Sequence, residues 1–262
     1  MARLNWNQSG TKTYQTGAKK GVLYPQSENG TYPTGYAWQG LTGVNEAPSG
    51  AEPTAIYADD TKYLSLMSAE DFAATITCYD TPPEFDECDG TAEIADGVFV
   101  GQQPRKPFGF CYRTAIGNDT KNIKYGYKLH IIYGALAKPS SVDYKTVNEN
   151  PEAIELSYEV STTPVSVSGM DPTATLVIDS TKANPAKLKK LEDILYGTEE
   201  ADARLPLPDE IASIMKADVS PSPNPGEATG GSTGEHKDSG ETTGGSTDDH
   251  SESSSDSNTD GR

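Results

Sequence analysis

The sequence predicts a mainly β fold, an α+β or β-sandwich architecture with a helix packed on it. Three observations carry this. Nine stretches between residues 21 and 178 have strand composition or period-two alternation, separated by clusters of Gly, Pro, Asn and Asp. One stretch after them repeats its leucines at helical spacing between clear start and stop signals. From Ser220 to the end there is no aromatic residue and almost nothing apolar.

Residues 1–20 are polar, with Trp6 and Tyr14 as their only aromatic groups, and read as an N-terminal arm. The strands expected next are Gly21–Pro25, Gly35–Val44, Thr54–Tyr57, Lys62–Met67 and Phe72–Tyr79. Five Gly and Pro residues between Gly40 and Pro53 make that part read as a long excursion. Pro83–Cys88 reads as one helical turn. Phe108–Ile116 and Tyr125–Ala137 then form a long hairpin, followed by strands Ala153–Thr163 and Thr173–Ile178.

The helix is expected over residues 185–196. Asn184 supplies the N-cap, Pro185 fits the first helical position, and Gly197 closes the last turn. Leu188, Leu191, Ile194 and Leu195 make one apolar stripe, while Lys187, Lys189 and Lys190 face away. A weaker helix over Pro208–Lys216 carries Ile211, Ile214 and Met215. Strands followed by helix imply a sheet structure with a helix layer on one side.

The formal net charge is -18. Residues 220–262 hold nine Asp/Glu and two Lys/Arg, so -18 less -7 leaves -11 on residues 1–219. Such a body does not coat nucleic acid, because that affinity comes from Lys and Arg neutralising phosphate. Its sign instead keeps a nearby polyanion from sticking. Residues 219–262 contain "TGGSTGEH" from Thr229 and "TGGSTDDH" from Thr243, a repeat of 14 residues. Gly, Ser, Thr and acid bury too little to offset chain entropy, so a disordered acidic C-terminal tail is expected there. His236 and His250 recur with the repeat and read as a duplicated segment rather than metal ligands. The stretch "MARLNWNQSGTKTY" has no apolar core of a signal peptide, and no run approaches 18 apolar residues, so neither export by that route nor a membrane span is expected. Three cysteines, Cys78, Cys88 and Cys111, with no CxxC spacing argue for reduced thiols and cytoplasmic synthesis.

"FGFCYRTAIGNDTKNIKYGYKLHII", residues 108–132, raises one chemical question. If Ile116 pairs with Tyr125, Cys111 stands across from His130, as a nucleophile and its base would. Slips of two residues satisfy the alternation equally well, and no third group or oxyanion donor is marked nearby. A structural role for both side chains is the expected one. In that register one face carries Phe108, Phe110, Tyr112 and Ile116 with Tyr125, Tyr127, Leu129, Ile131 and Tyr133. "FDECDGTAEIAD" mimics a calcium loop, but Phe85 stands at the first ligand position and Asp96 at the twelfth, so an acidic surface turn is expected. No phosphate-binding glycine loop, HExxH or paired CxxC occurs.

The order of segments carries a resemblance. "GYAWQGLTGVNEAPSGAEPTAIYADDTKYLSLMSAEDFAATI", "FDECDG" with "GVFVGQQPRKPFGFCYRT", "YGYKLHIIYGALAKPS", "STTPVSV" and "ATLVIDSTK" with the helix resemble the major tail proteins of long-tailed bacteriophages, over residues 1–197. The resemblance implies a tail-tube-type β-sandwich or barrel over residues 21–218, assembled as hexameric rings. Rings of this type stack through long loops and terminal arms into a tube that conducts the genome. It implies a structural virion protein and not an enzyme, with no catalytic, cofactor-binding or metal-binding residues. The partners implied are further copies of itself and other tail proteins: the tape measure, the tail terminator and the distal tail protein. DNA passes through without specific binding, no membrane is involved, and assembly takes place in the host bacterial cytoplasm. Trp6, Tyr14, Gly43, Asn45, Glu46, Asn118, Asp119 and Lys121, together with the connection Asn118–Lys124 and the excursion Gly40–Pro53, are the expected contacts between subunits or rings. Two other readings follow from the residues: a bacterial surface-binding β-sandwich with a Ser/Thr-rich stalk, and a thiol hydrolase built on Cys111 and His130.

Overall fold

A computed structural model describes residues 4–147, 149 and 152–217 of the chain; of these, 47% are in strands and 13% in helices. The expectations for the C-terminal tail, 219–262, lie outside the described residues. The strands are β1 (Thr13–Pro25), β2 (Tyr36–Trp38), β3 (Leu41–Glu46), β4 (Ser49–Gly50), β5 (Pro53–Ala58), β6 (Thr61–Met67), β7 (Glu70–Asp71) and β8 (Ala73–Cys78). A 3-10 turn, Pro83–Phe85, runs into α1 (Asp86–Asp89), then come β9 (Ala92–Ala95), β10 (Val98–Val100), β11 (Phe108–Asn118) and β12 (Asn122–Ala137). The chain continues through β13 (Leu156–Thr162), β14 (Val165–Val167), β15 (Met170–Thr173), β16 (Thr175–Asp179), α2 (Pro185–Tyr196) and α3 (Pro208–Lys216).

Eight of the strands form one antiparallel sheet in the order β2-β1-β11-β12-β13-β8-β3, with β16 also paired to β12. Only Gln39 and Gly40 separate β2 from β3, yet the two pair at opposite ends of this order. The sheet therefore curls until its edges approach one another, in the manner of a barrel.

Both faces of the central strands are buried. Inside the curl, Leu23, Ile76, Phe108, Phe110, Ile132 and Val160 pack around Trp38 and Phe85. The Trp38 ring lies 4.7 Å from Phe85 and 5.3 Å from Phe110, tilted or edge-on, as aromatic quadrupoles favour. Outside the curl, Cys111, Leu129, Ile131 and Tyr133 meet Leu188, Leu191 and Leu195 of α2 and Ile211 of α3. Each fully buried leucine contributes about 1.5–3 kcal/mol. The Asn184 side chain accepts from the N–H groups of Ala186 and Lys187, worth about 1 kcal/mol as an N-cap. Two tyrosines tie the layers: Tyr24 Oη donates to the Leu195 carbonyl at 2.6 Å and Tyr133 Oη to the Pro206 carbonyl at 2.9 Å.

The register of the β11–β12 ribbon corrects the sequence reading. Cys111 pairs with Ile131, Tyr112 with His130 and Ile116 with Gly126, one residue away from the expected alignment. Phe110 and Tyr112 share the inner face with Ile132 and His130, while Leu129, Ile131 and Tyr133 point to the helices. The alternation misled because both faces are apolar, so either parity buries a good face. At Gly134 the parity changes: Phe108 pairs with Ala135, and Ile132 and Ala135 face the same core. Gly134 lies at φ +57, and there β12 changes partner, from β16 over Lys128–Ile132 to β13 over Ala135–Ala137. Its N–H donates to Tyr32 Oη at 2.9 Å and its carbonyl accepts from Thr163 N–H at 2.9 Å.

Other boundaries differ too. β1 starts at Thr13 inside the expected N-terminal arm, because its pairing with β11 runs to Asn118. The expected excursion Gly40–Pro53 begins with β3, which pairs with β8 from Leu41 to Glu46. The expected long connection Asn118–Lys124 is a tight turn, since Asn118 pairs with Asn122. Two short hairpins, β9–β10 and β14–β15, were not expected; their strands are too short for periodicity to mark.

Gly134→Ala should lower stability by about 2–3 kcal/mol, because its Cβ would run into the Thr163 carbonyl oxygen at a positive φ. Gly97→Ala, at φ +74 with nothing within 4 Å, should cost only about 1 kcal/mol. Denaturant midpoints at constant slope check the comparison; equal losses would contradict the role given to Gly134.

Candidate assembly surface

The long excursion from the sheet runs from Ala47 to Phe72. β4 pairs with β7 at its base and β5 with β6 along its length. Asp59 and Asp60, both at positive φ, form the turn between β5 and β6, which suits a two-residue hairpin loop. Ile56 pairs with Leu64 and Thr54 with Leu66, so one face of this hairpin carries Ile56, Leu64 and Leu66. The other carries Tyr57, Tyr63 and Met67 by alternation. All six are exposed, Tyr57, Tyr63 and Met67 by about 70% each. A two-stranded hairpin in water is marginal on its own, and this one has nothing packed on either face. Six exposed large hydrophobic side chains gather on it, and such patches mark interaction sites.

Its root is held by a polar cluster. Glu46, the last residue of β3, accepts from Tyr112 Oη at 2.7 Å, and His130 Nδ1 lies 3.2 Å from the same oxygen. Thr114 Oγ1 is 3.1 Å from His130 Nε2, and the Tyr112 and His130 rings stack at 4.6 Å. The His130 bond, then the one from Tyr112, holds the Glu46 carboxyl below its ordinary range against the opposing effect of burial. Cys111 lies on the other face of the ribbon, fully buried under α2, and burial pushes its thiol up to about 12. The juxtaposition of Cys111 and His130 that one register allowed does not occur: adjacent residues of one strand point to opposite faces, and His130 stands across from Tyr112.

The remaining expected contact residues divide by environment. Trp6 is exposed on the N-terminal segment, and Tyr14, half exposed, lies over Gly117 at the ribbon end. Gly43 and Asn45 belong to β3, opposite Thr77 and Thr75. Asn118 is buried, and its Oδ1 accepts from the N–H groups of Thr120 and Lys121 to hold the turn. The Asp119 carboxylate accepts from Gly10 N–H at 3.0 Å. Lys121 is exposed, 5.9 Å from the Tyr125 ring. Glu46, Asn118 and Asp119 are therefore engaged within the chain, while Trp6, Tyr14, Asn45 and Lys121 present surface. In the calcium-like stretch, Phe85 is in the core, Glu87 pairs with Lys106 and Asp89 with Arg105. Sequence reasoning missed Tyr57, Tyr63, Met67 and, on the β9–β10 hairpin, Ile94, Val98 and Phe99, all exposed. Tyr57, Tyr63 and Met67 read as ordinary strand residues, since alternation marks a strand without telling whether anything covers it, and the strands that carry Ile94, Val98 and Phe99 were not expected at all.

No protein-family model matches this chain, and no curated protein matches it.

Glu46 gives up its proton more readily folded than unfolded. Its contribution is therefore complete above the ordinary carboxyl value of about 4.3 and is lost as pH falls through the lowered folded value. The stability difference between the wild type and Glu46→Gln should hold constant from neutral pH to about pH 5 and shrink as pH falls further towards about 3. Denaturant midpoints along the pH series check this; a difference independent of pH would show that the carboxylate is not what secures the root.

Proposed function

We propose that this chain is the major tail protein of a long-tailed bacteriophage, a structural subunit that polymerises as stacked hexameric rings into the tail tube. The observation that carries the reading is the hairpin Ala47–Phe72, apolar on both faces and covered on neither. A folded body that fixes such a hairpin at its root and leaves its faces bare is built to be completed by another subunit. Two further features support it. The curled sheet with a helix layer on its outer side agrees with a tail-tube-type sandwich. The formal -11 on residues 1–219 suits a lumen through which DNA slides without binding.

On this reading the partners are further copies of the chain, with the tape measure, tail terminator and distal tail proteins at the ends of the tube. The protein acts in the virion tail after assembly in the host cytoplasm, and the tube is the conduit for genome ejection. No catalytic step is assigned to it.

Electron microscopy of the purified chain at rising concentration should reveal rings and then tubes. Replacing Pro48–Asp71 by Asn-Gly, which joins β3 directly to β8, should leave the unfolding free energy within about 0.5 kcal/mol of wild type, because the removed hairpin packs on nothing. The same variant should form no tubes. Tubes of normal length from the shortened protein would overturn the reading, as would a wild-type chain that never assembles.

A further inference from the structure

The β11–β12 ribbon has a sign opposite to the rest of the chain. Residues 12–19 and 113–128, which form its end together with the start of β1, hold six Lys/Arg and one Asp, a formal +5 on a protein of -18. Lys12, Lys121 and Lys124 are exposed, and none forms an ion pair among the described residues. Among them stand Tyr14, Ile123 and Tyr125, exposed by 46%, 58% and 36%. A groove of about 320 Å³ runs there, between Tyr14, Tyr125, Lys128 and Lys182. The ribbon end is thus apolar and basic at once.

The long hairpin is its complement. Residues 47–72 hold Glu52, Asp59, Asp60, Glu70 and Asp71 against Lys62 alone, a formal -4, beside the exposed apolar side chains on both faces. The topology fixes where the two surfaces lie. Successive antiparallel pairings from β3 through β8, β13 and β12 to β11 make β3 and β11 run in the same direction. Glu46 at the end of β3 bonds to Tyr112 and His130, level with the middle of the ribbon. The hairpin root and the ribbon end therefore belong to the same end of the sheet.

We infer that the hairpin Ala47–Phe72 of one copy packs on the basic, aromatic end of the β11–β12 ribbon of an adjacent copy, and that this contact closes the ring. The inference rests on the tail-tube reading for the ring itself. Copies standing side by side in one orientation hold hairpin and ribbon at the same height. The hairpin strands, with about ten residues on each side, reach roughly 30 Å. A contact between two different surfaces, repeated by rotation, generates a closed ring. Opposite charge selects the partner surface and speeds its encounter, and the apolar faces supply the burial. The tail-tube resemblance on its own assigns long loops to contacts between rings; the shared end of the sheet assigns this hairpin to contacts within one.

Charge reversal on each surface tests the pairing. Glu52→Lys/Glu70→Lys/Asp71→Lys makes the hairpin basic, and Lys12→Glu/Lys121→Glu/Lys124→Glu makes the ribbon end acidic. Sedimentation in low salt should find each variant, folded by circular dichroism, unable to form the rings that wild type forms. An equimolar mixture should restore rings, since each altered surface then meets an opposite one. At about 0.5 M salt the wild-type association should weaken at least tenfold, because a Debye length of a few ångströms screens the exposed charges. Rings from either variant alone, or no association in the mixture of two folded variants, would overturn the inference. Rings that form from both variants but fail to stack would also overturn it, by placing the hairpin between rings, and would leave the tail-tube reading intact. If wild type forms no rings at all, the tail-tube reading falls. The hairpin–ribbon contact is then decided by pairwise binding: association only between the two variants supports it, and none overturns it.

Discussion

The double burial of β12 is the constraint on which the rest of the domain depends. On one face Ile132 packs into the core inside the curled sheet and His130 stacks on Tyr112, and on the other Leu129, Ile131 and Tyr133 face the helices. A one-residue slip against β11 would exchange the two sets and empty both cores. Gly134 lets the same strand leave β16 and continue with β13. That change of partner brings β13, β8 and β3 into the sheet and curls it around Trp38 and Phe85. The helix layer is a second consequence, because the outer face of the ribbon is apolar and needs covering. α2 supplies three buried leucines for this, and Tyr24 and Tyr133 donate to carbonyls at its edge.

Much of this was legible in the sequence, for physical reasons that can be named. Asn184, Pro185 and Gly197 mark α2 because each satisfies a local backbone requirement that no distant contact overrides. The positions of β6, β8 and β11 follow from β-branched and aromatic residues between turn formers. The ribbon register was not legible, because a strand buried on both faces offers no polar side to fix its parity. The candidate surface was legible only in part. Trp6, Tyr14, Asn45 and Lys121 present surface, but Glu46, Asn118 and Asp119 are spent on bonds within the chain. The hairpin β5–β6 read as two ordinary strands, and only the fold reveals that nothing lies over them.

The result is a molecule of two unequal parts. The body fills two cores. The hairpin Ala47–Phe72 has a firm root at Glu46 and bare faces beyond it. Conformational entropy favours fraying of such an element unless a partner covers it. On the tail-tube reading, assembly and the ordering of the hairpin are one event, and the free subunit stays soluble through its net charge until enough copies meet. The basic ribbon end is then the exception in an acidic protein that gives the hairpin a place to land.

Hydrogen exchange of the hairpin amides, measured on the dilute chain and again at assembling concentration, tests the central claim most directly. In the dilute chain the amides of residues 53–67 should exchange far faster than those of β11 and β12, and on assembly they should become protected by at least a hundredfold. Protection already equal to that of β11 and β12 in the dilute monomer, unchanged by concentration, would contradict the account.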